Sequence, residues 1–189
     1  MLSYTFGSFL GAARARLNTS RVTLILFSTL LILITCAVSA QEDVQNLAVV
    51  VNGLANPDLG ISSSLSIVDL DEPDLGKAVE NEIIPLGSAP NDIQVQGNLG
   101  YVVNTFSDNI QIIDLKNRVS LGEIPIGAGT LPEKIAFVNE NNAYVSCNGT
   151  DEIRVVNLTK RRVVKTIPVG SAPWGVAVLN GKVYVTNSA

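Results

Sequence analysis

A repeat of roughly 40–45 residues runs through most of this chain of 189 residues, and it limits the possible folds more than any other feature. Three stretches align by eye, at residues 83–115, 123–158 and 166–189. A proline and a tyrosine mark each unit: Pro85, Pro125, Pro168, Tyr101, Tyr144 and Tyr184. Self-similarity at such a period indicates one supersecondary unit repeated along the chain.

Each unit contains four short runs with strand character. In the unit from 132 to 169 they are rich in β-branched and apolar residues and lie at 135–138, 143–147, 152–158 and 162–169. Asn, Gly and Lys-Arg turns separate the runs, and none is long enough for a helix. Four antiparallel strands in every unit predict an all-β fold, a β-propeller with four-stranded antiparallel blades.

The number of predicted strands leaves the propeller incomplete. Blade boundaries are expected near 47–86, 87–126, 127–169 and 170–189, with three, four, four and two strands. About three and a half blades result, whereas a ring closes with roughly 4–8. We therefore expect the chain to be an N-terminal fragment of a longer protein; the alternative is a chain that closes its ring by oligomerising.

Five short stretches carry a resemblance to a known family: YVVN (101–104), IQIIDL (110–115), YVSC (144–147), IPVGSAPWGVAV (167–178) and YVTN (184–187). In this order they resemble the YVTN-family β-propeller repeat of extracytoplasmic and surface-layer-type proteins. The resemblance covers about residues 47–189 and implies a seven-bladed ring. Two departures are Cys147, where the family has Asn, and a longer loop at 52–64.

The first 40 residues predict a targeting segment. They contain Arg14, Arg16 and Arg21 and no acidic residue, followed by an uncharged run from 22 to 38 and a small residue at Ala40. This pattern is typical of a secretory signal peptide at 1–40, and the alternative is an uncleaved membrane anchor. Either places residues 41–189 outside the cytoplasm: secreted, periplasmic or at the cell surface. Membrane contact is expected only through this segment.

The composition excludes several kinds of chemistry. The sequence has no His, which excludes His–metal sites, c-type haem attachment and an imidazole base. All 17 acidic residues and all but three of the 13 basic residues lie beyond residue 40, so this part is acidic. An acidic surface argues against nucleic acid as a partner. Cys147, the single thiol beyond residue 40, is predicted to be a small buried apolar residue.

The loops on one face of the predicted propeller are the candidate site for a ligand or partner. The seven residues assigned to this site are Asn91, Asp92, Phe106, Asp108, Glu133, Lys134 and Trp174. They follow the proline of an inner strand or lie between second and third strands, where variable side chains sit on a regular scaffold. The alternative for each is turn chemistry, with Asp and Asn capping turns and Trp packing on Pro. We assign no catalytic residue, metal site or cofactor.

Other recurring polar residues are interpreted as structural. The Asn that ends the YVTN-type strand is expected to bond turn backbone, at Asn52, Asn104 and Asn187. Asx turns are expected to begin the hairpins after Asp69, Asp114 and Asn157. The basic run at 160–162 lies on the opposite face, as a solvated turn or, alternatively, a contact for phosphate or an anionic surface.

Two functions from different classes follow. The first is a non-enzymatic extracytoplasmic scaffold that binds a protein, a cell-surface polymer or a small ligand through loops on one face. The alternative is a hydrolase such as a lactonase, using Asp92, Asp108 and Glu133 with a divalent ion. A haem or quinone redox enzyme is disfavoured because the sequence has no His.

Overall fold

The computed structural model describes residues 47–53, 63–79 and 83–188. The predicted signal segment at 1–40 and most of the long loop at 52–64 lie outside the described residues. Within the described part, no helix is long and apolar enough to cross a membrane.

Across the described residues, thirteen strands form four antiparallel sheets in chain order. Blade 1 comprises β1 (Leu47–Asn52), β2 (Ser64–Asp69) and β3 (Ile84–Pro85). Blade 2 comprises β4 (Pro90–Gln96), β5 (Leu99–Asn104), β6 (Asn109–Asp114) and β7 (Val119–Pro125). Blade 3 comprises β8 (Pro132–Asn139), β9 (Asn142–Cys147), β10 (Glu152–Asn157) and β11 (Arg162–Pro168). Blade 4 comprises β12 (Pro173–Leu179) and β13 (Lys182–Asn187). The predicted fold class, an incomplete β-propeller with four-stranded antiparallel blades, is confirmed.

Blade 2 is packed on both faces because apolar residues alternate along its central strands. Tyr101 and Ile110 belong to a buried cluster that also contains Ile135 and Val145 of blade 3. The neighbouring Val102 belongs to a second cluster, which contains side chains of blade 1. Successive side chains of a strand point to opposite faces, so each blade is covered by the next.

The inner strands of successive blades lie side by side. β4 contacts β8, and β8 contacts β12. In blade 1 the strand nearest to this row is β1, which contacts β4. The first residues of β4, β8 and β12 therefore come together at one face of the propeller, where the candidate site was predicted.

Asx turns at the hairpins are confirmed. The carboxylate of Asp114 accepts hydrogen bonds from the N–H groups of Lys116 (3.0 Å) and Asn117 (2.9 Å). These bonds, that of Asn117 above all, lower the pKa of Asp114. Asn157 accepts from the N–H of Lys160 at 2.7 Å in the same way. Local side-chain bonding thus fixes the turn that joins the third and fourth strands.

One short helical element was missed by the sequence analysis. Residues Leu75–Ala78, labelled α1, form a single helical turn between β2 and β3. The side chain of Asp74 accepts a hydrogen bond from the N–H of Gly76 at 3.1 Å, as a helix N-cap does. One turn is too short to leave a periodic pattern in the sequence.

Candidate binding rim

The rim is the face of the propeller at which the inner strands begin. We define it by the loops at 86–89, 104–108, 126–131, 148–151 and 169–172 and the first residues of β4, β8 and β12. All seven predicted site residues lie on this rim, because the connections from outer to inner strand and from second to third strand share one face of an antiparallel blade. Their environments, however, differ sharply.

Glu133, Asn91 and Lys134 form a polar cluster between the inner strands of blades 2 and 3. The side-chain amide of Asn91 donates a hydrogen bond to Oε2 of Glu133. Nζ of Lys134 donates to the backbone oxygen of Asn91 at 2.7 Å. Glu133 is only 6% exposed. These side chains connect β4 to β8, so one side of the cluster is already engaged within the protein.

The environment of Glu133 disfavours its charge. Burial raises the pKa of its carboxyl above the ordinary value of 4.5. The hydrogen bond from Asn91 and the positive charge of Lys134 act in the opposite direction and are smaller effects. A carboxyl group with a raised pKa can accept and return a proton, or it can be a satisfied part of a blade interface.

We expect Glu133→Gln to change the pH dependence of stability. A raised pKa means that the folded state keeps its proton to higher pH than the unfolded state, so stability from this group falls as pH rises above 4.5. The variant has no such charge, and its free energy of unfolding should gain on the wild type between about pH 4 and 7. Urea unfolding at several pH values measures this difference.

The control for this prediction is Glu140→Gln, which removes an exposed carboxylate in the hairpin after β8. It removes one negative charge from an exposed position and so serves as the comparison for the loss of a charge alone. A Glu133→Gln difference that follows the Glu140→Gln difference across the same pH range would contradict the proposed effect of burial.

Asp108 holds the loop that enters blade 3. One carboxylate oxygen, Oδ2, accepts from the N–H of Gly129 at 2.7 Å. The other, Oδ1, accepts from the N–H of Leu131 at 2.9 Å. The hydroxyl of Thr130 lies 3.2 Å from Oδ1 and is closer to the backbone oxygen of Gly127, at 2.7 Å. Asp108 adopts a left-handed backbone, with φ of 51°, a conformation that Asp tolerates better than most residues. Its carboxylate therefore organises the start of the next blade.

Asp92, near the start of the inner strand β4, also bonds the backbone of the next blade. Its Oδ2 accepts a hydrogen bond from the N–H of Ile135 in β8 at 3.0 Å. Asp151, the counterpart of Asp108 in blade 3, accepts from the N–H of Ala172 at 2.7 Å. Carboxylates on this rim thus repeatedly bond the backbone of the following blade, a structural use that the sequence analysis weighed only as ordinary turn capping.

The two aromatic rim residues present open surface. Phe106 is 70% exposed and Trp174 is 46% exposed. Their backbones are nevertheless fixed, because the N–H of Phe106 donates to the oxygen of Ser88 (3.1 Å) and the oxygen of Trp174 accepts from the hydroxyl of Ser146 (2.6 Å). Large apolar rings held on a rigid backbone are what a binding surface needs, since little entropy is lost on contact.

The Asn that ends the YVTN-type strand is structural, but its expected partner was wrong. The buried amide of Asn104 donates to Oδ1 of Asn109 (2.9 Å) and to Oε1 of Gln111 (3.4 Å), which are side chains on the next strand. Asn52 likewise donates to the hydroxyls of Ser64 and Ser66. These two amides therefore join the second strand to the third, and no bond from either to turn backbone is seen among the described residues.

Cys147 is buried, as expected from the sequence. Burial raises the pKa of its thiol to about 12, so the group is protonated at neutral pH. The loop entering this blade, at 126–131, is longer than its counterparts and buries Thr130. It bonds directly to the segment after Cys147, through Asn148 N–H to the oxygen of Leu131 (3.0 Å). In blade 3, the small residue Cys147 and the longer loop at 126–131 therefore occur together on the rim.

Within the ranges that the structure describes, no group of three or more His, Cys, Asp or Glu residues could hold a metal ion. Asp92 and Asp108 accept hydrogen bonds from the backbone of the next blade, and Glu133 accepts one from the side-chain amide of Asn91.

The fold and rim define the class of the protein, a β-propeller with a partly aromatic face. No protein-family model matches the sequence, and no curated protein is significantly similar to it. Among solved structures, a functionally unknown protein from Desulfotomaculum acetoxidans matches with a TM-score of 0.58 and 18% identity. The match covers 76% of this chain and 45% of that one.

Two further solved structures are similar in fold. Kuenenia stuttgartiensis hydrazine synthase matches with a TM-score of 0.50 and 23% identity, over 60% of this chain and 32% of that one. Dihydro-heme d1 dehydrogenase NirN, in complex with DHE, matches with a TM-score of 0.51 and 17% identity, over 69% of this chain and 27% of that one. The chain spans less than half the length of each. At these identities the likeness shows the fold and not the activity.

Proposed function

We propose that this protein is a non-enzymatic, extracytoplasmic β-propeller scaffold that binds a protein or a cell-surface polymer through its rim. The observation that carries the proposal is the exposure of Phe106 and Trp174 on backbones fixed by hydrogen bonds. Aromatic side chains are enriched at the energetic centres of interfaces. The extracytoplasmic location rests on the basic and then apolar pattern of residues 1–40.

The state of the rim carboxylates supports binding over the hydrolase alternative. Asp92 and Asp108 accept hydrogen bonds from the backbone of the next blade. Glu133 is bonded to Asn91 and lies almost wholly inside the cluster. A hydrolase needs carboxylates that face a substrate or a metal ion, and these three are engaged within the protein.

We further propose that the chain is a YVTN-type repeat and that additional blades complete its ring. The sequence motifs at 101–104, 144–147 and 184–187 support the family. The open face of blade 4 supports the additional blades, because Leu179 is 60% exposed and Tyr184 is 53% exposed there. In a closed propeller a following blade covers such a face, whether it comes from the same polypeptide or from another copy.

A rim variant tests the proposed binding function. The full chain is mixed with cell-wall polysaccharide and, separately, with envelope proteins released from the producing cells, and bound material is quantified. Phe106→Ala/Trp174→Ala should weaken capture by about tenfold or more, since central aromatic residues often contribute 2 kcal/mol or more.

The matched control is Val119→Ala/Val164→Ala, which removes two exposed apolar side chains away from the rim and from the open face of blade 4. It should bind like the wild type. Equal capture by both double variants would contradict the proposal, and so would robust turnover of a lactone by the full chain with no partner retained.

A further inference from the structure

An open cleft of about 310 Å³ lies between blades 2 and 3 on the face opposite the rim. Its lining combines four apolar side chains with one tyrosine and three polar residues: Leu99, Ile112, Leu121, Leu158, Tyr101, Glu140, Thr159 and Arg161. The volume is at the lower end of the range for small-molecule sites. The cleft therefore has buried apolar side chains, such as Ile112 and Leu158, and charged side chains, Glu140 and Arg161.

Arg161 spans this cleft from one blade to the other. It lies in the hairpin between β10 and β11, and its Nη1 donates a hydrogen bond to the backbone oxygen of Leu121 in β7 at 2.7 Å. One bond uses one of the five N–H donors of a guanidinium group, so others remain to receive an anion. The backbone oxygen fixes the position of the positive charge before any ligand arrives.

Leu121 owes its place in the cleft to a β-bulge. The register of β6 against β7 shifts between Ile112 and Ile113, which leaves Leu121 as the extra, unpaired residue of β7 between Ser120 and Gly122. Bulges turn a side chain away from the regular pleat. The same irregularity in blade 3 leaves Val164 as the extra residue. Val164 does not line the cleft, and it therefore offers a matched position.

Tyr101 gives the floor of the cleft a neutral polar group. Its residue is 6% exposed, and its ring packs edge-on against Phe137 with centroids 5.4 Å apart. Burial raises the pKa of the phenol, and the charge of Arg161 lowers it by a smaller amount. The phenol is therefore protonated at neutral pH and can donate a hydrogen bond.

The hairpin that carries Arg161 adds positive charge beside the cleft. Lys160 and Arg162 flank Arg161 in it. Glu140 is the carboxylate within the lining of the cleft. Asp114 begins the hairpin of blade 2 and is held in its Asx turn. The basic residues outnumber these two acids, which favours a ligand of negative charge.

We propose that this cleft binds a small amphipathic anion, an apolar body that fills the space between the leucine side chains and a carboxylate that pairs with Arg161. The site is separate from the rim and does not depend on the function proposed there. An anionic head on a fixed guanidinium and an apolar tail on Leu99, Ile112 and Leu158 match the two halves of the lining.

Calorimetric titration of the full chain with octanoate and with octylamine tests the charge of the ligand. Octanoate should bind with a stoichiometry near one, and octylamine should bind at least about tenfold more weakly, because it places a cation beside Arg161. Equal affinity for octanoate and octylamine, or no octanoate binding at millimolar concentration, would overturn the proposal.

The decisive variant is Arg161→Gln, with Arg162→Gln as its control. Both remove one positive charge from the same exposed hairpin, but only Arg161 lines the cleft. Arg161→Gln should weaken octanoate binding by about tenfold or more, and Arg162→Gln by less than about threefold. Equal losses in the two variants would show that general charge attraction is sufficient and would overturn the assigned site.

Arg161→Gln also removes a hydrogen bond between blades and could lower stability. A second pair of variants therefore tests the cleft without changing Arg161. Leu121→Glu places a carboxylate in the cleft, and Val164→Glu places one at the equivalent bulge outside it. Octanoate binding should fall by about tenfold or more only in Leu121→Glu. Unchanged binding in this variant would contradict the proposal whatever Arg161→Gln shows.

Discussion

Asp108→Ala is expected to lower the free energy of unfolding by about 2–4 kcal/mol. The substitution removes the acceptor of two backbone hydrogen bonds, which come from Gly129 and Leu131, and the carboxylate contact of the Thr130 hydroxyl. Thr130 is buried, so its surroundings cannot easily supply water in place of the carboxylate. Alanine is also less tolerant than aspartate of the left-handed backbone at this position. Urea unfolding monitored by circular dichroism measures the loss.

Asp151→Ala is the matched control for this prediction. Asp151 occupies the corresponding position in blade 3 and has the same left-handed backbone, with φ of 56°. Its carboxylate accepts from the N–H of Ala172 at 2.7 Å, in place of the two backbone N–H donors at Asp108. The variant should therefore lose about 1–2 kcal/mol. If Asp151→Ala is the more damaging of the two, the role assigned to the longer loop is wrong.

Gly87→Ala is expected to destabilise the protein by about 1–3 kcal/mol through overpacking. A Cβ atom at Gly87 would lie 2.7 Å from Nδ2 and 2.8 Å from Cγ of Asn104. Asn104 is fully buried, and its amide is held by Asn109 at 2.9 Å. The amide cannot move aside without breaking this bond. Thermal unfolding of the variant and the wild type gives the difference.

Gly170→Ala supplies the comparison for Gly87→Ala. A Cβ atom there would also lie 2.7 Å from an amide nitrogen, that of Asn187, but Asn187 is exposed and its side chain can turn away. The expected loss is below about 1 kcal/mol.

A double-mutant cycle of Gly87→Ala with Asn104→Ala should show favourable coupling. Additive effects would contradict a direct clash between the two positions.

The strands and blades were predictable from sequence because their signals are local. Alternating apolar residues, hairpin turns and a repeated Tyr-Val pair mark each unit, and the structure has thirteen strands in sheets of three, four, four and two. The predicted ends of the strands were less accurate. β8 begins at Pro132, three residues before the predicted run, because a register shift lets Pro132 pair with Cys147 before Ile135 pairs with Val145.

The environments of the site residues depend on contacts between blades, and no local pattern encodes them. Asp108 bonds residues more than twenty positions away, and Asn91 meets Glu133 across 42 positions. The left-handed residues before the inner strands are Ala89, Leu131 and Ala172, where glycine would have been the usual signal. The cleft likewise requires a bulge in one blade and a hairpin in another, joined by Arg161 and Leu121 across 40 positions.

Hydroxyl-radical footprinting of the full chain with its captured envelope partner tests the central claim most directly. The method reports the accessibility of individual aromatic and aliphatic side chains. Bound partner should protect Phe106 and Trp174, which are exposed on the rim, and leave Val119 and Val164 as accessible as in the free protein. Protection confined to Val119 and Val164, with Phe106 and Trp174 unchanged, would contradict a binding rim on this propeller.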